Sequence, residues 1–169
     1  MRITLAFLFI LLLVGCGYKP SSKYARVIVG ESVSTSITIS AQDPENTVII
    51  KDAVDLAVIE VFRTSLTDRA YSKTHLSLSI SPPSYTPLQY DGDGFIIAYR
   101  ATIVLGIVRE TKDIKKHYSA SGTYDFSIDR NAVITDAQRF DAIKFSATKA
   151  ITSFIAQVSA EGSRVKNKE

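Results

Sequence analysis

The chain has 169 residues, 46% hydrophobic and 22% charged, with a formal net charge of +3. This is an ordinary globular balance; it excludes a disordered or collagen-like chain, and the charge is too small to argue for nucleic acid. The single cysteine, Cys16, excludes a disulfide scaffold, and a body of this length buries a real core without one.

Met1-Arg2 gives a short positive start, and Ile3 to Val14 is apolar apart from Thr4. That order is an export signal. The apolar run is about 12 residues, whereas a membrane-crossing helix needs roughly 20. Residues 1–15 are therefore predicted to be cleaved, with Leu13-Val14-Gly15-Cys16 placing the thiol at the cut. Residues 16–23, with Pro20, Ser21 and Ser22, read as a tether. Residues 24–162 read as one α+β domain and 163–169 as a basic tail carrying Arg164, Lys166 and Lys168.

From Tyr24 to Ser40 the pattern alternates, with Val33, Ile37 and Ile39 on one parity and Ser32, Ser34, Ser36, Thr38 and Ser40 on the other. A half-buried strand, or a bent pair of strands, has this period. Asp43-Pro44 supplies a cap and a first helical residue. It predicts a helix from about Asn46 to Leu66, with Ile50, Val54, Ala57, Val58, Val61, Phe62 and Leu66 at helical spacing. The β-branched residues in Thr47 to Ile50 leave its first turn open between helix and strand.

Leu76, Leu78 and Ile80 alternate with serines in a second strand, which Pro82-Pro83 must end. From Pro82 to Gly94 the prolines, glycines and aspartates predict a long surface loop. Phe95 to Glu110 is the most β-rich stretch, with Ile97, Tyr99, Ala101, Ile103, Leu105 and Ile107 on one parity. Its other parity is also mostly apolar, which predicts a central strand covered at least partly on both faces. After a polar turn at 111–116, Tyr118, Ala120, Gly122, Tyr124 and Phe126 alternate with Ser, Thr and Asp, completing a hairpin.

Thr135 and Gln138 have the spacing of a capping box. Phe140, Ile143, Ala147, Ala150, Ile151, Phe154 and Val158 then follow the helical period, and Gly162 is predicted to close the helix. The order predicts an α+β fold: two amphipathic helices packed on one face of a roughly four-stranded mixed or antiparallel sheet.

Asp91-Gly92-Asp93-Gly94 has a calcium-loop flavour, but position twelve is Thr102 rather than Glu, so a turn is the better account. His75 and His117 lack partners at ligand spacing and read as surface histidines; neither a metal nor another cofactor is expected. With no Gly-x-Ser-x-Gly elbow and no phosphate loop, no catalytic residue is assigned and an enzyme is disfavoured. The repeated Ser and Thr on strands suit a solvated or partner-facing sheet surface. Arg109, Lys112, Lys115 and Lys116 at the hairpin tip suit an anionic group such as phosphate; Glu110 and Asp113 partly neutralise them, so a solubilising turn is the alternative. Tyr85, Tyr90, Tyr99, Tyr118 and Tyr124 suit either an interface or the core.

The residues around Cys16 resemble the lipobox of bacterial lipoproteins, in which the cysteine is acylated; several acyl chains hold a protein at a membrane essentially permanently. Together, Gly15-Cys16-Gly17-Tyr18, the early alternating strand, Asp43-Pro44, the strand pair from Phe95 to Ile128 and the closing helix from Thr135 to about Ala160 resemble the lipopolysaccharide-assembly lipoprotein family, LptE. The resemblance implies two helices on a four-stranded sheet. It also implies a place partly inside a large outer-membrane β-barrel (LptD-like), a part in delivering lipopolysaccharide to the cell surface, and no enzymatic activity. Gly17 rather than Asp after the cysteine implies the outer membrane. Assignment of lipopolysaccharide contact to Arg109, Lys112, Lys115 and Lys116 rests on their chemistry alone. Two other readings are a periplasmic lipoprotein that regulates a cell-wall synthase, and a lipid-carrying module with an enclosed apolar cavity.

Overall fold

A computed structural model describes residues 32–39, 47–62 and 66–166. The leader, Cys16, the tether and Asp43-Pro44 lie outside the described residues. Five strands are present: β1 (Val33–Ile39), β2 (Thr74–Ile80), β3 (Ser84–Tyr90), β4 (Ile96–Glu110) and β5 (Lys115–Ser127). Two helices, α1 (Thr47–Phe62) and α2 (Asp136–Lys166), and a 3-10 turn at Arg69–Tyr71 complete the described elements. The fold is α+β, as the pattern predicts.

β4 organises the sheet. Along its whole length it pairs antiparallel with β5, from Ala98↔Ser127 to Glu110↔Lys115. Its other edge is shared, because β2 pairs with residues 105–110 and β3 with residues 96–102. β2 and β3 therefore lie end to end as one interrupted strand. Ile80 faces Leu105 and Ser84 faces Thr102, so the intervening segment holds one residue more than its partner. Pro82-Pro83 makes that bulge, where a missing amide donor costs least. The sheet is thus four strands wide but built from five, and the predicted loop 82–94 is corrected to a strand, β3, followed by a turn. β1 lies outside β2 and pairs with it in parallel, Val33↔Thr74 to Ile39↔Ile80, with α1 between the two strands in the chain.

Both helices cover the same sheet face. Val33, Leu76, Leu78, Ile80, Ile103, Leu105, Ile107 and Ala120 meet Ala53, Val54, Ala57 and Val58 of α1 and Ile143, Ala147, Ala150, Ile151, Phe154 and Val158 of α2. These buried side chains form one core between the layers. Lys144 and Glu60 link the two helices at 2.6 Å. Gly122 on β5 decides how closely α2 seats. A Cβ there would lie 2.5 Å from Ala150 N and 2.9 Å from Lys149 Cβ, and closer still to Ser146 O. Only glycine admits the helix backbone at that distance.

The other sheet face carries Ser36, Thr38, Ser77, Ser79, Thr102, Val104, Gly106, Val108, Ser119, Ser121 and Thr123, and apart from the 3-10 turn that lies over Ser34 and His75 at one end, no described element covers it. Of the at least partial cover expected on both faces of β4, this side has the lesser share: Thr102, Gly106 and Val108 are half-buried and Val104 is 38% exposed. Here Arg100 grips Asp125 in a two-pronged pair at 2.7 and 2.8 Å. The outer edge of β5 pairs with no described strand, and the Gln157 amide donates to the Ser119 carbonyl at 3.0 Å.

The capping box forms: Thr135 N–H donates to Gln138 Oε1 at 3.0 Å and Gln138 N–H to Thr135 Oγ1 at 3.3 Å. Two predicted helix ends are corrected. α2 passes through Gly162, which is buried, and runs on to Lys166. α1 ends at Phe62, and Leu66 bridges Val33 instead of extending the helix.

Candidate functional site: the cationic end of the sheet

Parity decides the fate of the hairpin-tip cations. Arg109 continues the series Ala101, Ile103, Leu105, Ile107, so it faces the helices, and it is 4% exposed. Its register partner Lys116 lies on the same face. Glu161 comes down from α2 between them: Lys116 Nζ lies 2.7 Å from Oε2, Arg109 Nη2 lies 3.6 Å from Oε1, and the Tyr118 hydroxyl donates to Oε2 at 2.8 Å. Both cations also sit over the Tyr118 ring, at 5.8 Å for Arg109 and 5.5 Å for Lys116. Burial pushes the Tyr118 phenol up to about 12, and its bond to Glu161 adds to the shift. Burial alone would raise the Glu161 carboxyl, but the bonds from Lys116 and Tyr118 and the charge of Arg109 reverse this and hold it low. Arg109 and Lys116 thus fasten α2 to the end of the hairpin.

Lys115 turns the other way and bonds Glu110 at 2.7 Å, which holds that carboxyl below its usual range. Of the four cations assigned from sequence, Lys112 is the one that lines an open cleft. Arg69, Lys73, His75, Glu110 and Thr111 line it as well. Arg69 and Lys73 come from the segment between α1 and β2, which the sequence reading passed over; the polar run from Thr67 to Lys73 was the available signal.

His75 is the floor of this cleft, and the expectation of a surface histidine is corrected: it is 7% exposed. Arg69 Nη1 lies 3.3 Å from His75 Nε2, and a guanidinium can only donate, so Nε2 accepts and Nδ1 carries the proton. Nδ1–H then donates to Ser34 Oγ at 2.8 Å, and Ser34 Oγ lies 2.7 Å from Ser72 Oγ. Ser72 Oγ donates to the Arg69 carbonyl at 3.1 Å, closing a ring of bonds that ties the 3-10 turn to β1 and β2. Burial and, next, the Arg69 charge lower the His75 pKa, with Glu110 opposing. His117, in contrast, is exposed.

At the opposite end, Asp91 is the predicted turn residue. Its Oδ1 accepts from the amides of Asp93 at 3.0 Å and Phe95 at 2.9 Å, and Gly94 has φ +86°. Arg130 pairs with Asp91 at 3.0 Å and with Asp93, and stacks over Phe95. These carboxylates serve a structural arginine. Tyr85, Tyr99 and Tyr124 surround Phe126, Tyr118 packs on Phe154, and Tyr90 is exposed.

Fold and site together define a two-layer α+β domain with one bare, hydroxyl-rich sheet face and one cationic end. The chain belongs to the LptE family, described as lipopolysaccharide assembly, whose model matches residues 34–158. A comparison with curated proteins gives no match. Among solved structures, the chain is similar to lipoprotein B of Nitrosomonas europaea at 15% identity, covering 87% of this chain and 93% of that one with a TM-score of 0.45. It is also similar to a minor lipoprotein of Acinetobacter baumannii at 12% identity, covering 79% and 94% with a TM-score of 0.43. The rare lipoprotein B of Shewanella oneidensis matches at 11%, covering 80% and 94% with a TM-score of 0.38. Among the described residues no helix is long and apolar enough to cross a membrane.

Proposed function

We propose that this chain is an outer-membrane lipoprotein, acylated on Cys16, that binds a large LptD-like β-barrel and supports lipopolysaccharide transport and assembly without catalysing a reaction. Membership of the LptE family over residues 34–158 is the observation that carries the reading. The leader-like start and the lipobox around Cys16 support the anchor. A sheet face rich in Ser and Thr, with an Arg–Asp pair and only scattered valines, suits a polar barrel interior better than a continuous apolar face would. The cluster of buried side chains that the described residues bring together between the layers favours a contact domain over a lipid-carrying cavity. Lipopolysaccharide contact through the tip would fall mainly to Lys112. Lys115 and Lys116 would stand at the rim, and Arg109 would hold the tip in place from beneath.

The test is purification of the tagged chain from its native host membranes in mild detergent. A co-purifying outer-membrane β-barrel and an acylated Cys16 by intact mass are expected. Absence of any barrel, or an inner-membrane synthase in its place, would overturn the assignment.

A further inference from the structure

We propose that the cleft formed by Arg69, Lys73 and Lys112 over His75 binds a phosphate group. It deepens the reading above by giving the cationic end a built ligand site, and it rests on that reading only for which molecule bears the phosphate. Three elements contribute one cation each: the 3-10 turn, the residue before β2, and the β4–β5 turn. Glu110 is the one carboxylate in the lining, and it is held at 2.7 Å by Lys115, while Arg69 stands 3.5 Å from it. Lys73 and Lys112 are exposed and make no ion pair with another described residue. The cleft therefore keeps an excess of positive charge after its internal pairs are formed.

Phosphate fits this set better than a carboxylate does. A phosphomonoester carries about −1.5 to −2 charges and three acceptor oxygens, matching three cations brought to one cleft. A guanidinium offers a planar fork for such oxygens, and the lysines act as mobile point charges. Arg69 is oriented before any ligand arrives, because His75 Nε2 accepts from it at 3.3 Å and the Ser34–Ser72 ring fixes His75. The described chain also enters beside the cleft. Lys73 N–H donates to the Ser32 carbonyl at 3.2 Å and to Ser32 Oγ at 3.1 Å. On the lipoprotein reading, the phosphate is borne by a lipid headgroup or is free.

The test is lysine acylation footprinting of the mature lipoprotein in uncharged detergent, with Lys144, already paired to Glu60, as internal reference. Labelling of Lys73 and Lys112 is compared in sodium phosphate, in micelles doped with phosphatidic acid, in sodium chloride at matched ionic strength, and with an acidic peptide. Protection by both phosphate sources supports the site, and protection by the doped micelles alone supports it with a lipid headgroup as the source. Equal protection by chloride, stronger protection by the peptide, or none, overturns it. Replacing Lys73→Gln with Lys112→Gln touches no buried group and should weaken phosphate binding by about tenfold; Arg69→Lys should weaken it too, by removing the fork. Unchanged binding in the double variant would also overturn the proposal. Loss of the barrel partner with cleft binding intact would sink the functional reading alone, and the reverse outcome would sink the cleft alone.

Discussion

Gly122→Ala is the most discriminating perturbation of this fold. In an ordinary strand the change should help, since glycine costs roughly 0.5–1 kcal/mol relative to alanine inside regular structure. Here the new methyl would stand 2.5 Å from Ala150 N and 2.9 Å from Lys149 Cβ, against ordinary contacts of 3.4–4 Å. The obstacle is helix backbone, which cannot rotate away, so α2 must lift by about 1 Å; a gap of that size forfeits a quarter to a half of each contact's attraction along the seam. Overpacking of this kind typically costs about 1–3 kcal/mol, and the long seam of α2 puts Gly122→Ala at the upper end. Urea unfolding followed by circular dichroism should show a lower midpoint with an unchanged slope. Gly106→Ala is the control, because its Cβ would meet only the Ser79 hydroxyl at 2.5 Å, the end of a rotatable side chain. That variant should lose about 1 kcal/mol or less, the worth of the Ser79 hydroxyl's bond to the Gly106 carbonyl. If Gly122→Ala is as stable as the parent, or no worse than Gly106→Ala, the claim that glycine sets the helix seat is refuted.

His75 titrates below its ordinary value of 6.5 when folded, so the unfolded chain takes up the proton first as pH falls. Its contribution to stability is complete above 6.5 and declines as the pH drops through the folded value; His75→Gln should flatten that part of the stability–pH curve, and a parallel curve would refute the assignment. One tyrosine should ionise near 12 in ultraviolet titration, and the step should vanish in Tyr118→Phe while the other tyrosines are unmoved. Glu161→Gln weakens the bonds from Lys116 and Tyr118 and the pairing with Arg109; a cost of about 1–3 kcal/mol by chemical denaturation is expected, and a neutral result would show that the fastening is idle. Thr135→Ala removes the acceptor for the Gln138 amide and should cost about 1 kcal/mol, with amide exchange quickening first at the start of α2.

Where one face is apolar and the other hydroxylated, as in β2 and β5, alternation alone gives both the strand and its inward side. The box at Thr135 and Gln138 likewise announces a helix start through local bonds that need no distant partner. β3 was hidden because Pro82, Pro83 and Pro87 punctuate it. An edge strand tolerates proline, since its outward amide is not needed, but the edge position follows from the sheet and not from the segment. Gly162 stays helical because its turn is buried against the body, which outweighs its propensity. At the site, Arg109's inward direction was already written in its parity with Ile107. Burial of His75 was not, because Ser34, Ser36 and Arg69 reach its ring from positions 41, 39 and 6 residues away. Composition marks the hairpin lysines as a cationic tip, yet Lys116 is taken by Glu161, a residue 45 positions further along, while Lys115 is taken by its neighbour across the hairpin, Glu110.

The unpaired margin of β5 bears on how this molecule behaves away from its natural surroundings. Among the described residues no strand pairs with this edge of the thirteen-residue β5, and an exposed row of amides and carbonyls is a template for another chain. Lys115 and Lys116 discourage such docking at one end and Asp125 near the other, whereas Ser119 to Thr123 carry no charge and Gln157 stoppers a single carbonyl. Concentrated preparations will self-associate first along this uncharged stretch, and a lysine in place of Ser121, whose side chain points to the bare face, is the simplest way to keep them dispersed.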